Sequence, residues 1–212
     1  MKKMKKALLV ILIVEYSLAI LAQIFGLFSE LVEAFTPIFL LSVSVLVLLE
    51  YKDTWTKEFT LWLIFTNVGL LIIEILGVNF GIVFGDYDYS PILGPQLLGT
   101  PLIIGFNWVI VVLSASQIVD LVKKDWNPYL KALFAGLLCL GFDIILEPTA
   151  IKLDYWQWDG GEIPFSNYLS WFILALGISF FYFRLDIKEK YHMGILNFVF
   201  QILLFSLILI FT

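Results

Sequence analysis

Three carboxylates interrupt long apolar runs of this sequence: Glu74, Asp143 and Glu147. An ionisable side chain at membrane depth is costly, so a function is sought for it before a packing role. Asp143 and Glu147 stand four residues apart, which puts them on one helical face. Burial favours the uncharged form of a carboxyl group. Held protonated near neutral pH, such a group is a general acid that needs no metal or cofactor. Aromatic faces beside it would stabilise a developing cation, and Tyr87, Tyr89, Trp108, Tyr155, Trp156, Trp158 and Trp171 fall at the same level. Asn107 adds an amide there. The competing account is structural: carboxylates paired with Asn, Tyr and Trp donors to fix helix packing, beneath an ordinary interfacial belt of aromatic residues. Glu15, alone in the first apolar run, fits that account, and Asp120 and Asp186 read as ordinary helix-end residues.

The elements that must carry these groups are membrane spans. Of 212 residues, 61% are hydrophobic, 17% aromatic and only 15% charged, and the mean hydropathy is +0.96. Such a composition predicts an all-α, polytopic integral membrane protein, with residues 1–212 forming one transmembrane domain. Seven apolar segments approach the length a spanning helix needs: 7–28, 34–50, 59–78, 101–121, 131–148, 167–184 and 193–211. The basic start imitates a signal peptide, but the run continues past Glu15 without a small-x-small cleavage site and is read as a retained first helix. Pro148 predicts that the fifth helix ends or kinks at Glu147. The lone Cys139 excludes an internal disulfide or cysteine metal cluster, and the lone His192 excludes a multi-histidine site. No cofactor or metal is expected, and nothing points to nucleic acid.

Charge sorting predicts the orientation. With the N-terminus inside, every one of the thirteen basic residues except Lys152 falls on the cytoplasmic side, as the positive-inside rule requires. The C-terminus is then outside, and the protein is expected in the cell (inner) membrane. The two longest connections, 79–100 and 152–166, lie on the outer side and are rich in Gly, Pro, Tyr, Trp and Asp. The Asp86-Tyr87-Asp88-Tyr89 alternation reads there as a solvated loop. Helix rise sets the depth of the acids. Glu74 is fifteen residues beyond Phe59, and Asp143 twelve beyond Lys131, so they stand about 22 Å and about 18 Å up their helices, with Glu147 one turn higher. Asn67 faces the same way as Glu74, and Gly136 shares the face of Asp143, where a neighbouring helix can approach closely. The result is a candidate polar pocket from three helices beneath two aromatic loops.

These residues carry a resemblance. Glu74-Ile-Leu-Gly77-Val78, Gly81, Phe84-Gly85, Tyr87 and Tyr89 resemble the E-x-x-G-V…G-x-x-F-G-x-Y-x-Y stretch of carotenoid 1,2-hydratases of the bisanhydrobacterioruberin hydratase type. Leu93-Gly94-Pro95, Gly99, Pro101-Leu102 and Trp108 continue it. A second block is similar over Asp143-Ile-Ile-Leu-Glu147-Pro148, Tyr155-Trp156-Gln-Trp158, Gly160-Gly161, Ile163-Pro164, Asn167 and Trp171. The family usually has Asp where this chain has Glu147, so the carboxylate is kept but reaches one methylene further. The resemblance implies water addition across the terminal C1=C2 bond of an acyclic carotenoid such as lycopene or γ-carotene, delivered by membrane lipid. It also implies association with other enzymes of carotenoid synthesis. It makes Asp143 or Glu74 the proton donor and Glu147 the group that positions or activates water. Tyr87, Tyr89, Asn107, Trp108, Tyr155, Trp156, Trp158, Asn167 and Trp171 then become substrate-binding residues. Three other functions remain open: a carotenoid cyclase that starts with the same protonation, a non-catalytic carotenoid-binding subunit, and a proton-coupled small-solute transporter. The transporter is disfavoured because no relay residues are seen continuing towards the cytoplasm.

Overall fold

A computed structural model describes the chain except residues 1, 54, 186 and 188–192, with only the backbone of residues 2, 52 and 53 described. Expectations placed on Asp186, Lys188, Lys190 and His192 lie outside the described residues. Among those described, seven helices form: α1 (Lys2–Ile24), α2 (Ser29–Leu49), α3 (Lys57–Phe80), α4 (Ile103–Val122), α5 (Pro128–Lys152), α6 (Phe165–Arg184) and α7 (Met193–Phe211). Each is long and apolar enough to cross a bilayer, and the chain is a multi-pass membrane protein. Successive spans leave two ends: a basic end with short connections, and a loop end carrying residues 81–102 and 153–164.

Local chemistry sets several boundaries. Thr56 opens α3 by accepting from the Phe59 N–H at 3.1 Å, and Asn127 opens α5 by accepting from Leu130 at 3.0 Å, with Pro128 at the first helical position. Gly81 closes α3 in the left-handed region, φ 62°, its N–H bonded to the Gly77 carbonyl. A side chain there would run into the Asp86 carboxylate. At the basic end, Glu50 accepts from the Met193 N–H at 2.7 Å and from Lys5 at 3.4 Å, tying α1 and the end of α2 to the start of α7. Asp120 is not an ordinary helix-end residue. The short turn after α4 brings it level with Lys131 of α5, the two form a largely buried ion pair, and the ammonium lies 5.5 Å over the Phe183 ring. Glu15 also has a partner, the Ser42 hydroxyl of α2 at 2.6 Å.

The fifth helix does not stop at Glu147. It continues through Pro148 to Lys152. The proline takes one N–H out of the ladder, while Thr149 donates its hydroxyl to the Ile145 carbonyl at 2.8 Å and lies 3.3 Å from the Phe205 carbonyl of α7. The carbonyl left free is that of Ile144, which these bonds do not reach; the Phe205 contact instead ties this turn of α5 to α7.

α4 is the axis of the bundle. It is covered all round: Trp108 to Gln117 are buried without interruption, as an apolar helix surrounded by others must be. α5 and α6 pack closely at Gly136, where an added Cβ would lie 3.2 Å from the Phe172 carbonyl and from Leu176 Cβ. Small residues that admit a neighbouring backbone are the usual basis of helix association in lipid. Gly136→Leu should therefore cost about 1–3 kcal/mol, seen as a lower Tm of the detergent-solubilised protein.

The loop end is not all coil. Strand β1 (Tyr87–Tyr89) pairs antiparallel with β4 (Trp156–Trp158), in the register Tyr87–Trp158, Asp88–Gln157 and Tyr89–Trp156. Between them, β2 (Gln96–Leu97) and β3 (Thr100–Pro101) make a second small ladder. Side chains alternate across a strand, so the Tyr-Asp-Tyr and Trp-Gln-Trp triplets turn four rings to one face and Asp88 and Gln157 to the other. The rings face the helices; Asp88 and Gln157 are exposed. The alternation expected to be a solvated loop is thus a half-buried strand, held by main-chain bonds to the second loop.

Candidate functional site

Beneath the β1–β4 ladder lies a cavity of about 30 Å³, a volume suited to one or two water molecules. Glu74 of α3 and Glu147 of α5 both line it. Around them stand Tyr87, Tyr89, Trp156 and Trp158 from the ladder, Asn107 and Trp108 from α4, and Asn167 and Trp171 from α6. Phe84, Ile104 and Leu146 complete the wall.

The two carboxylates differ in their partners. Glu74 Oε2 accepts from the Tyr87 hydroxyl at 2.5 Å and the Tyr89 hydroxyl at 2.9 Å, while Oε1 accepts from Trp108 Nε1 at 2.7 Å. Gly77, one turn above, makes room for this: a Cβ there would sit 3.2 Å from the Tyr87 hydroxyl and 3.0 Å from the Phe84 ring. Glu147 Oε2 accepts from two indoles, Trp156 Nε1 at 3.0 Å and Trp158 Nε1 at 2.8 Å. Its Oε1 accepts from Asn167 Nδ2 at 3.0 Å. That same amide nitrogen donates to Asp143 Oδ2 at 3.0 Å, so Asn167 bridges the two acids of α5. Asp143 Oδ1 has no hydrogen-bond partner among the described residues. None of the three acids is ion-paired among the described residues; Lys152 is exposed and forms no ion pair with them.

Tyrosine hydroxyls can donate or accept, whereas indole N–H groups only donate. Glu74 can therefore carry a proton and keep its contacts, because Tyr87 or Tyr89 can turn to accept it. Glu147 has no such partner and is built to be an acceptor. Burial above all pushes the phenols of Tyr87 and Tyr89 well above their ordinary titration range, so both keep their protons whether or not Glu74 is charged.

The rings form a continuous box. Trp108 and Trp171 stack at 3.6 Å, Tyr87 packs on Trp158 at 4.9 Å, and Tyr89 meets Trp156 edge-on at 5.7 Å. Trp158→Phe keeps a ring but removes one donor to Glu147. It should cost about 1–2 kcal/mol, measurable as a Tm decrease larger than that of a substitution at exposed Gln157.

Not every expected residue lies on the cavity. Asp143 is fully buried but stands one turn below the wall, joined to it only through Asn167. Tyr155 faces away, packing on Trp156 with its hydroxyl beside Thr36 of α2. Asn67 lies against Gly105 of α4 rather than on the cavity. Ile104 and Leu146 are wall residues that the sequence does not single out, although Leu146 lies three residues from Asp143 on the carboxylate-bearing face; Phe84 belongs to the first motif but is not among the residues expected on the site. Nor does the polar character stop at the site. Asn107 Oδ1 accepts from Gln201 of α7 at 3.4 Å, Gln201 Oε1 from Asn197 at 3.4 Å, and Asn197 Oδ1 from the Tyr16 hydroxyl of α1 at 2.7 Å. Asn107, Gln201 and Asn197 carry amides and Tyr16 a phenol, so this chain is polar without adding the carboxylates or bases of a proton relay.

Buried carboxylates boxed by indoles and phenols inside a helical bundle make up the candidate site. Residues 34–212 match the family described as carotenoid biosynthesis protein, and the chain belongs to that family. It is also similar to a bisanhydrobacterioruberin hydratase of Haloarcula japonica, with 27% identity over 107 residues. That match covers 48% of this chain and 36% of the relative, so the chain spans about a third of that protein's length. No solved structure matches the chain.

Proposed function

We propose that this protein is a cofactor-independent carotenoid hydratase that adds water across the terminal C1=C2 bond of an acyclic end group such as that of lycopene or γ-carotene. The observation that carries the reading is the pair of unlike carboxylates on one water-sized, aromatic-walled cavity. Family membership supports it, as does the similarity to a protein named for hydration.

Glu74, protonated and held by its tyrosines, gives its proton to C2. The positive charge develops at the tertiary C1, where indole and phenol rings and the Glu147 carboxylate stabilise it. A water oxygen bonds to C1 and loses a proton to Glu147, leaving a tertiary alcohol. Passage of that proton from Glu147 back to Glu74 through water in the cavity both line closes the cycle, so the net change is addition of one water. Asp143 acts through Asn167, whose amide keeps Glu147 Oε1 in place. The cavity of about 30 Å³ takes water alone, so the rings of Trp108, Trp156, Trp158 and Trp171 part to admit the end group and then bind it. The long apolar chain of the substrate enters from lipid, residues 1–212 act as one transmembrane domain, and the basic end faces the cytoplasm.

Expression in cells that accumulate lycopene tests the reading. A hydroxylated end group in the extracted pigment supports it. A ring-closed product would make the protein a cyclase; unchanged pigment copurifying with the protein would make it a binding subunit. Proton-coupled flux in proteoliposomes without pigment chemistry would make it a transporter.

A further inference from the structure

We infer that Asn107 holds the water that captures the cation, and that Gln201, which touches neither substrate nor water, is the positioning residue that aims it. The inference rests on the hydratase reading of the site. Asn107 lines the cavity with both glutamates, and its only hydrogen bond to a described residue is made through Oδ1, accepting from Gln201 Nε2 at 3.4 Å. Its Nδ2 group is left to donate to whatever occupies the cavity.

The direction of that amide is set along the whole buried chain. The Tyr16 hydroxyl donates to Asn197 Oδ1, Asn197 Nδ2 donates to Gln201 Oε1, and Gln201 Nε2 donates to Asn107 Oδ1. Reversing one amide forces the others to reverse, because each must present a donor to an acceptor. The reversed chain would turn the Asn107 carbonyl towards a cavity already holding two carboxylates, placing acceptor against acceptors. The cavity end thus selects one polarity, and the Tyr16 hydroxyl, able to donate or accept, fits it by donating to Asn197. Tyr16, Asn197 and Gln201 are all buried, so no bulk water competes for the bonds that join these three. Polar side chains between spanning helices can serve as packing glue alone. Here the chain terminates on the cavity wall at the one lining amide whose nitrogen is free, beside space of the size of a water molecule. A water there receives a hydrogen bond from Asn107 Nδ2 and can give its own proton to Glu147, leaving a lone pair for C1.

Protonation and capture can be separated in heavy water. A cation that is formed but not captured can instead lose a proton from a methyl group on C1 to a carboxylate while keeping the deuterium it received at C2, so the recovered, unhydrated substrate pool acquires deuterium; a captured cation appears as alcohol. The ratio of deuterated substrate to alcohol counts only turnovers, so loss of folded protein does not move it. In membranes containing lycopene in D2O, Asn107→Leu and Gln201→Met should each raise that ratio about tenfold over wild type. An unchanged ratio in both variants would overturn the inference, as would both variants losing deuterium exchange together with alcohol, since aiming water is not needed for protonation. If wild type forms no alcohol, the hydratase reading itself fails.

Discussion

Glutamine in place of Glu74 should abolish most hydration while leaving the protein folded. Removing a positioned general acid costs about 10²–10⁴-fold in rate. The structural cost is small because of what surrounds the side chain. The glutamine oxygen can keep the Trp108 indole that now reaches Oε1 at 2.7 Å, and its amide nitrogen then faces Tyr87 and Tyr89. Both hydroxyls can turn to accept, so no donor is set against a donor, and their own protons can point into the cavity that both residues line. Hydration assayed on membranes, normalised to folded protein, should fall by about two or more orders of magnitude with Tm nearly unchanged. Retention of full activity would remove Glu74 from the acid role even if the protein is a hydratase.

Glu147→Gln should behave differently, losing stability as well as activity. Oε2 lies among two indole N–H groups, and Oε1 accepts from Asn167. An amide nitrogen at the first position would face two donors that cannot accept. At the second it would face the Asn167 amide, whose reversal would disturb its bond to Asp143. Either arrangement leaves buried donors opposed, at about 1–3 kcal/mol. The expected result is a Tm clearly below that of Glu74→Gln, together with loss of alcohol formation. Equal Tm values for the two glutamine variants would mean that the partner sets do not differ in the way described.

Much of the bundle is legible in the sequence because apolar length is a strong signal: a run such as 193–211 has few alternatives to a span. Helix rise likewise brings Glu74 and Glu147 to one height. Height, however, does not say which way a side chain faces across a bundle. Asp143 and Glu147 share a face of α5, yet one turn of rise is enough to put Glu147 on the cavity and Asp143 beneath it. The expectation that the fifth helix ends or kinks at Pro148 follows from local backbone preference; the helix does not end there but runs on to Lys152. The strand pairing is visible in part, since Tyr-Asp-Tyr and Trp-Gln-Trp both carry the two-residue period of a half-buried strand. Their partnership joins triplets far apart in sequence, with α4 and α5 between them, and no local pattern encodes that. Gln201 gives no signal at all, because an amide in an apolar run gains meaning only from the side chain it meets.

Whether the cavity adds water to an alkene is tested most directly by the origin of the product oxygen. Purified protein in lipid vesicles containing lycopene, incubated in water enriched in ¹⁸O, should yield a tertiary alcohol carrying one heavy oxygen per modified end, with no added oxidant or cofactor. Glu74→Gln should yield essentially none. A product without heavy oxygen, a ring-closed carotenoid, or unchanged lycopene in the presence of folded wild-type protein would contradict the account.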